Sequence, residues 1–361
     1  MKIIGSFEKL NPVLHHILDP ADFQDEATIS ELLEDPYVAV LDSMESQVRD
    51  LIKLRNPRIT FNSQELEQEA KDFLKKQGDG FGNWVFYPWK RALVKVLPEK
   101  EFVEVRTVRN KFKITQEEQD LLFTKKIGIV GLSVGQSVAL GLAMERVCGE
   151  LRIADFDHVE LGNLNRIRTS ICHIGLKKTE IVRREIAELD PYLKVSVFKE
   201  GLNEDNMEDF FTGEGKLDLL VEECDSIQMK IRSRIKAKAL QTPVLMDTSD
   251  RGMLDIERFD LEPDRPVFHG KLSGLGNEEG LLDGFAHKEK QVLGAILDFD
   301  KLSPRAKSSI AEIGKSITNW PQLASSVIMG GGFCTHLARE ILLGHQVNSG
   351  RFYVDLDEIL K

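Results

Sequence analysis

The stretch 125–147, KKIGIVGLSVGQSVALGLAMERV, constrains the fold more than any other part of this chain. Ile127 to Val130 reads as a buried strand, the Gly/Ser run after it as a tight turn, and the apolar remainder as a helix. ELRIADFD follows as a second strand that ends in acid. The alternation then continues. KKTEIVRREIAELD is a helix stopped by Pro191, KVSVFKE a third strand, NMEDFF a short helix and LDLLVEECD a buried strand. IQMKIRSRIKAKALQ is a helix and PVLMDTS another strand.

Strands that alternate with helices call for a sheet covered on both faces, because parallel neighbours need a crossover. The expected fold class is therefore α/β, a Rossmann-like, doubly wound and largely parallel sheet. Ligands of such sheets bind outside the carboxyl ends of the strands. Residues 1–104 are expected to form a separate α+β module, and 105–361 the sheet-bearing domain. In the module, ISELLEDPYVAVLDSMESQVRDLIKLRNP reads as helices, the last ending before Pro57, and WVFYPW and FVEVRTV read as short strands around a basic turn. GDGFGNW precedes a strand rather than a helix, so it lacks the geometry of a phosphate loop.

Composition excludes several classes. A net charge of −11 argues against general nucleic-acid binding, which needs a basic face. No apolar run is long enough to span a bilayer, and MKIIGSFEKLNP lacks the apolar core of a signal peptide, so a cytoplasmic protein without a membrane partner is expected. Cys148, Cys172, Cys224 and Cys334 lie far apart with no CxxC pair, which argues against a disulfide framework or a structural zinc.

The turn GLSVGQS sits where a Rossmann fold places its phosphate-binding turn, with Gly131, Ser133 and Gly135 nearest a ligand. Ser133 and Gln136 stand where the GxGxxG pattern has its second and third glycines. Alone, the turn admits two readings, a phosphate cradle or a bare strand-to-helix turn. Asp155 lies 24 residues after Gly131 (155 − 131), near the spacing at which an acid accepts bonds from a ribose hydroxyl. Beyond it come Asp157, Asn163, Asn165 and Arg166, and then Lys178 opening a helix. Arginine clamps phosphate bidentately and lysine supplies a compact charge. Asp225, after LLVEEC, is placed for a divalent ion, and Mg²⁺ prefers one or two carboxylates plus nucleotide phosphates. Ribose acid, phosphate cations and a metal carboxylate describe ATP being cleaved rather than a hydride carrier.

These residues resemble those of the ubiquitin-activating-enzyme (E1)-like superfamily, which includes the ThiF and MoeB adenylyltransferases of bacterial sulfur-carrier pathways. The resemblance rests on IGIVGLSVG, ADFDHVELGNLNR, GLKK, LDPYLKV and LLVEECD, over about residues 105–260, with an echo in WPQLASSVIMGGGFCTHLAREILLG. It implies that Asp155 binds the ribose, that Asn163, Arg166 and Lys178 contact phosphates, and that Asp225 binds Mg²⁺. RTVRN resembles the superfamily's arginine pair, which implies a homodimer in which Arg109 reaches the partner's site. It also implies that a carboxylate, on a ubiquitin-like sulfur carrier or a peptide, is adenylated by ATP with release of pyrophosphate. A group within the superfamily, similar in GLSVG, VEECD and TSDRG, continues into a flavin-dependent nitroreductase-like domain.

The chain departs from that pattern in its glycine turn and in lacking paired CxxC motifs. Cys224 is expected to be a buried strand-end thiol rather than a nucleophile, and Glu223 either a second metal ligand or, more simply, a solvent-facing edge residue. Asp247 and Arg251 are expected at the same rim, with Arg251 either guiding a substrate or pairing with Asp250 or Asp255. FHGKLSGLGNEEG to LDFDKLSPRAK reads as a mobile segment across the site. Two other functions stand beside adenylation: a Rossmann oxidoreductase binding NAD or FAD, which fold alone does not separate, and a non-catalytic nucleotide-binding scaffold.

Overall fold

The structure, a computed structural model, describes residues 10–276, 278–282 and 285–361. Most of the run read for a signal sequence, and Asn277 in the glycine-rich segment, lie outside the described residues. The chain divides into two units. One comprises residues up to Gln116 with 187–192, the other 117–186 with 193–361.

The first unit holds β1 (His16–Leu18), α1 (Phe23–Glu34), β2 (Ala39–Asp42), α2 (Met44–Arg55), α3 (Ser63–Gln77), β3 (Asn83–Tyr87), β4 (Ala92–Val96) and α4 (Glu99–Arg106). Its sheet runs β1-β3-β4-β2, antiparallel except for the parallel pair β2 and β4. Strand β3 is covered on both faces because its side chains alternate. Trp84 and Phe86 join Leu18, Ile29, Leu32 and Leu93, whereas Val85 and Tyr87 join Val96, Ala187 and Tyr192.

FVEVRTV corrects an expectation: it is not a strand but most of α4, and the second strand is Ala92–Val96. Phe102 and Val105 both pack against the cluster of Met44, Val48, Ile52, Leu66 and Leu97. Residues three apart share a helix face but point to opposite faces of a strand, so this packing selects the helix. Pro98 at its N-cap and Glu99 and Glu101 in its first turn suit a helix start.

The second unit continues with α5 (Gln116–Phe123), β5 (Lys126–Val130), α6 (Gly135–Glu145), β6 (Glu150–Ala154), α7 (Lys178–Leu189), β7 (Lys194–Phe198) and α8 (Met207–Thr212). Then come β8 (Leu219–Glu222), α9 (Ile227–Ala239), β9 (Val244–Thr248), β10 (Met253–Glu257), α10 (Phe285–Leu297), α11 (Pro304–Glu312), α12 (Ala324–Leu342), β11 (Gly350–Tyr353) and α13 (Leu356–Ile359). The end of α7, from Ala187, groups with the first unit. The sheet order is β11-β10-β9-β8-β5-β6-β7, parallel from β9 to β7, with β10 and β11 added antiparallel. The expected doubly wound, largely parallel sheet is present. Strand β5 lies between β6 and β8, so the chain leaves it to one side first and to the other later; its carboxyl end is the switch point.

Helix α6 is buried along most of its length, and α12 lies directly on it. A Cβ added at Gly331 of α12 would stand 2.6 Å from the Ser137 Cβ, so the glycine permits the contact. Deeper in the unit, Arg234 of α9 is wholly buried. Its Nη1 donates to Asp255 at 2.8 Å and also to Glu257, and its guanidinium lies 4.2 Å from the Phe268 ring centroid. Arg351 of β11 donates to the other Asp255 oxygen at 2.6 Å. Among the described residues, no helix is long and apolar enough to cross a membrane.

Candidate nucleotide site

The site is built at the carboxyl ends of β5, β6 and β8, all within the second unit. Gly131 follows β5 at φ 88°, and a Cβ there would stand 2.5 Å from the Glu223 carbonyl oxygen. Only glycine fits that left-handed position against neighbouring backbone. The turn delivers the chain to α6, which starts at Gly135 with Val134 as N-cap and no side-chain cap. A helix start without a side-chain cap offers N–H groups to an anion.

Asp155, just past β6, is tied into this turn. Its Oδ2 accepts from the Leu132 N–H at 2.6 Å and its Oδ1 from the Asp157 N–H at 2.7 Å. Burial pushes its carboxyl above the ordinary value, while the Lys178 charge and the two backbone N–H groups pull it down. Lys178, 6% exposed at the start of α7, donates Nζ to Asp157 Oδ2 at 2.7 Å. The Asp157 side chain therefore holds the lysine.

The loop between β6 and α7 carries the remaining candidates. Arg166 donates Nε to Ser133 Oγ at 3.1 Å and Nη1 to Asn165 Oδ1 at 3.0 Å. Burial lowers the Arg166 pKa, and the negative charge of Asp225 opposes that shift. Asn165 donates Nδ2 to the Gln322 carbonyl at 2.8 Å, tying the loop to the segment before α12. Asn163 turns its side-chain oxygen to the Glu160 N–H at 3.0 Å, within its own 3-10 turn. Asp225 stands exposed beyond β8. Among the described residues no three His, Cys, Asp or Glu side chains are grouped for a metal. An exposed carboxylate of this kind would suit a Mg²⁺ that takes most of its ligands from phosphates and water rather than from a protein cage.

Arg109 lies exposed in the 3-10 turn Val108–Asn110 of the first unit and is not among the side chains that the second unit brings together. Several expectations about the rim are corrected. Glu223 is not solvent-facing but buried, its Oε1 accepting from the Asp247 N–H at 2.8 Å. Asp247 is not at the rim either; it is 4% exposed, and both its carboxylate oxygens lack a hydrogen-bond partner. Arg251 pairs with Asp355 at 2.7 Å and with Glu358, fastening the C-terminal segment. Cys224 is half-buried, and burial and Glu222 push its thiol well above the ordinary value, which disfavours the thiolate that a nucleophile needs.

One participant escaped sequence reasoning. Gln136 is 1% exposed in the first turn of α6, and its side chain reaches the site loop. Its only signal was a long polar side chain where the fingerprint has glycine.

Comparison with known proteins places these features. Residues 107–273 match the model of the ThiF family. An uncharacterized protein of Mycobacterium tuberculosis (strain CDC 1551 / Oshkosh) is 40% identical over 95% of this chain, and this chain spans only 46% of that protein's length. The tRNA threonylcarbamoyladenosine dehydratase of Bacillus subtilis (strain 168) is 24% identical over 64% of this chain and 94% of its own. A solved structure of E. coli MccB with MccA-N7isoASN aligns with a TM-score of 0.51 at 16% identity, over 87% of this chain and 85% of that one, a likeness of fold.

Proposed function

Since this chain carries a ThiF family domain at residues 107–273, we propose that it adenylates a carboxylate, with ATP as co-substrate and pyrophosphate as product. The observation that carries the reading is the meeting of two cations, Arg166 and Lys178, with Asp155 at the switch point beside a turn closed by Gly131. A hydride carrier needs the turn and the acid but not the cations.

In this reading Asp155 accepts from the ribose, as its remaining lone pairs allow. Gly131, Ser133 and Gly135 border the phosphates. Lys178 leaves Asp157 for the phosphoryl oxygens, and Arg166 meets them from the loop, with Asn163 and Asn165 shaping that loop. The substrate carboxylate is ionised at neutral pH. One of its oxygens attacks the α-phosphorus directly, the bond to the β-phosphate oxygen breaks, and pyrophosphate leaves with the electron pair. No general base is required, so positioning and charge stabilisation supply the catalysis. Asp225 would hold Mg²⁺, which neutralises phosphate charge when bound.

The acidic balance of the chain favours a protein or peptide carboxylate over one borne on RNA. The Bacillus subtilis relative's name supplies a second reading, in which the activated carboxylate belongs to a threonylcarbamoyladenosine of tRNA that then loses water. Both readings begin with adenylation. Nucleotide chemistry is assigned within residues 105–361, although the start of that range, up to Gln116, and 187–192 group with the first unit. The protein acts as a homodimer, with Arg109 reaching the partner's site.

The test is ATP–pyrophosphate exchange with candidate carboxylates. Exchange that disappears in Asp225→Ala and Lys178→Ala supports adenylation. Tight NAD(H) binding without ATP binding would replace it with the oxidoreductase, and ATP binding without exchange for any carboxylate with the scaffold. Mixing inactive Arg109→Ala with inactive Lys178→Ala should restore part of the exchange if Arg109 works in trans.

A further inference from the structure

Two positions where a dinucleotide fingerprint carries glycine hold side chains here, and both reach the same loop. Ser133 accepts from Arg166 Nε at 3.1 Å. Three residues on, Gln136 makes a two-point contact with the backbone of Arg168. Its Oε1 accepts from the Arg168 N–H at 2.8 Å, and its Nε2 donates to the Arg168 carbonyl at 2.7 Å. The same Nε2 donates to Glu185 of α7 at 2.8 Å. The amide is almost wholly buried and its carbonyl and amino ends are both engaged.

We propose that Gln136 is a positioning residue for the phosphate-facing loop: it fixes the backbone two residues beyond Arg166 and so sets where that guanidinium stands. This rests on the nucleotide reading given above. The physical case is one of entropy and register. The connection from β6 to α7 is long, and a loop of this kind holds a cation in place only where its backbone is anchored on both sides. On one side the Asn163–Glu160 turn supplies the anchor. On the other, the Gln136 amide pairs with Arg168 as a neighbouring strand would. Glycine at position 136 would bring the helix closer to a ligand but remove the anchor on the far side of Arg166, leaving the Asn165–Gln322 tie and the Asn163 turn on the near side. This chain trades the close approach for a fixed loop.

The proposal separates phosphate recognition from adenosine recognition, because Arg166 faces only the former. Calorimetric titration of the purified protein with ATP and with adenosine therefore tests it. In Gln136→Met, which keeps side-chain length but no amide, ATP affinity should fall about tenfold or more, the worth of a displaced charged contact. Adenosine affinity should stay within about twofold, and hydrogen exchange at residues 165–168 of the ligand-free protein should accelerate. The paired variant Gln136→Glu with Glu185→Gln keeps an amide and a carboxylate bridging α6 and α7 but cannot donate to the Arg168 carbonyl. It should recover thermal stability without recovering ATP affinity. Parallel loss of ATP and adenosine binding, or recovery of both stability and ATP affinity in the paired variant, would show a merely structural role and overturn the inference. ATP binding by Gln136→Met equal to that of the unsubstituted protein would overturn it as well. Absence of ATP binding in the unsubstituted protein would instead overturn the nucleotide reading, and this inference with it.

Discussion

Lys178 and Asp157 form a 2.7 Å ion pair in which the lysine is buried and the aspartate half-exposed. The asymmetry matters. Burying an ammonium costs least where a partner faces it, and a half-exposed carboxylate gives up a partner to an incoming phosphate at lower cost than a buried one. Lys178→Met should lower ATP affinity by about tenfold to a hundredfold, the usual worth of one charge-assisted contact. The matching change in adenosine affinity should be small. Titration calorimetry of both ligands measures it, and equal losses would place Lys178 in the framework rather than at the phosphates.

Gly131 offers a sharper steric test. With φ at 88° and an added Cβ 2.5 Å from the Glu223 carbonyl oxygen, no side chain fits without moving the end of β8. Gly131→Ala should shift the turn, open the Leu132–Asp155 contact and abolish ATP binding. The backbone strain adds about 1–2 kcal/mol of destabilisation. A variant that folds with a nearly unchanged melting temperature and still binds ATP would contradict this account of the turn.

How much of this was legible beforehand depended on the distance over which each residue acts. Strands β5, β8 and β9 were readable because a strand buried on both faces is largely a short apolar run, whereas β6 carries Glu150 and Arg152 as a buried ion pair and was readable from its place after α6. Asp155, Arg166 and Lys178 were readable as a group because a strand-turn-helix unit fixes local spacing. FVEVRTV was misread because Phe102, Val103 and Val105 satisfy either period, and only the α2–α3 cluster decides between them. Glu223 was misplaced because its partner Asp247 lies 24 residues away on a neighbouring strand. Arg251 was similarly out of reach, its partner Asp355 being 104 residues distant. The role of Gln136 follows from the path of the crossover loop, which periodicity does not encode.

The buried ions around Arg234 predict a different kind of effect. Its guanidinium serves Asp255 and Glu257 with Glu222 nearby, and all four side chains are wholly buried. Replacing one partner strands the others without solvent. Arg234→Met should therefore destabilise the protein by about 3–5 kcal/mol. That loss should appear in urea unfolding as a lower midpoint with an unchanged slope. Loss of less than about 1 kcal/mol would mean that water or rearrangement reaches these carboxylates.

Asp247 makes the stability of the second unit depend on pH. Burial pushes its carboxyl from an ordinary 3.8 to about 7, and no hydrogen bond reaches either oxygen. Glu223, buried beside it, is raised in the same direction by burial and by the charge of Asp247. A carboxyl whose folded pKa is raised holds its proton more tightly in the folded state than in the unfolded state. Its contribution is therefore fully present below about pH 4 and is lost progressively as pH rises through about 7. Asp247→Asn removes this titration while keeping the shape. The variant's stability relative to the unsubstituted protein should climb between about pH 4 and pH 7 and level off above. Denaturant unfolding of both proteins across that range measures the difference, in which titrations remote from Asp247 cancel while that of Glu223, which senses the Asp247 charge, remains part of the effect. A difference that stays flat with pH would mean that Asp247 is ionised in the fold at neutral pH, with a counter-charge or solvent reaching its carboxylate against Gly330, where an added Cβ would stand 1.9 Å from its Oδ2.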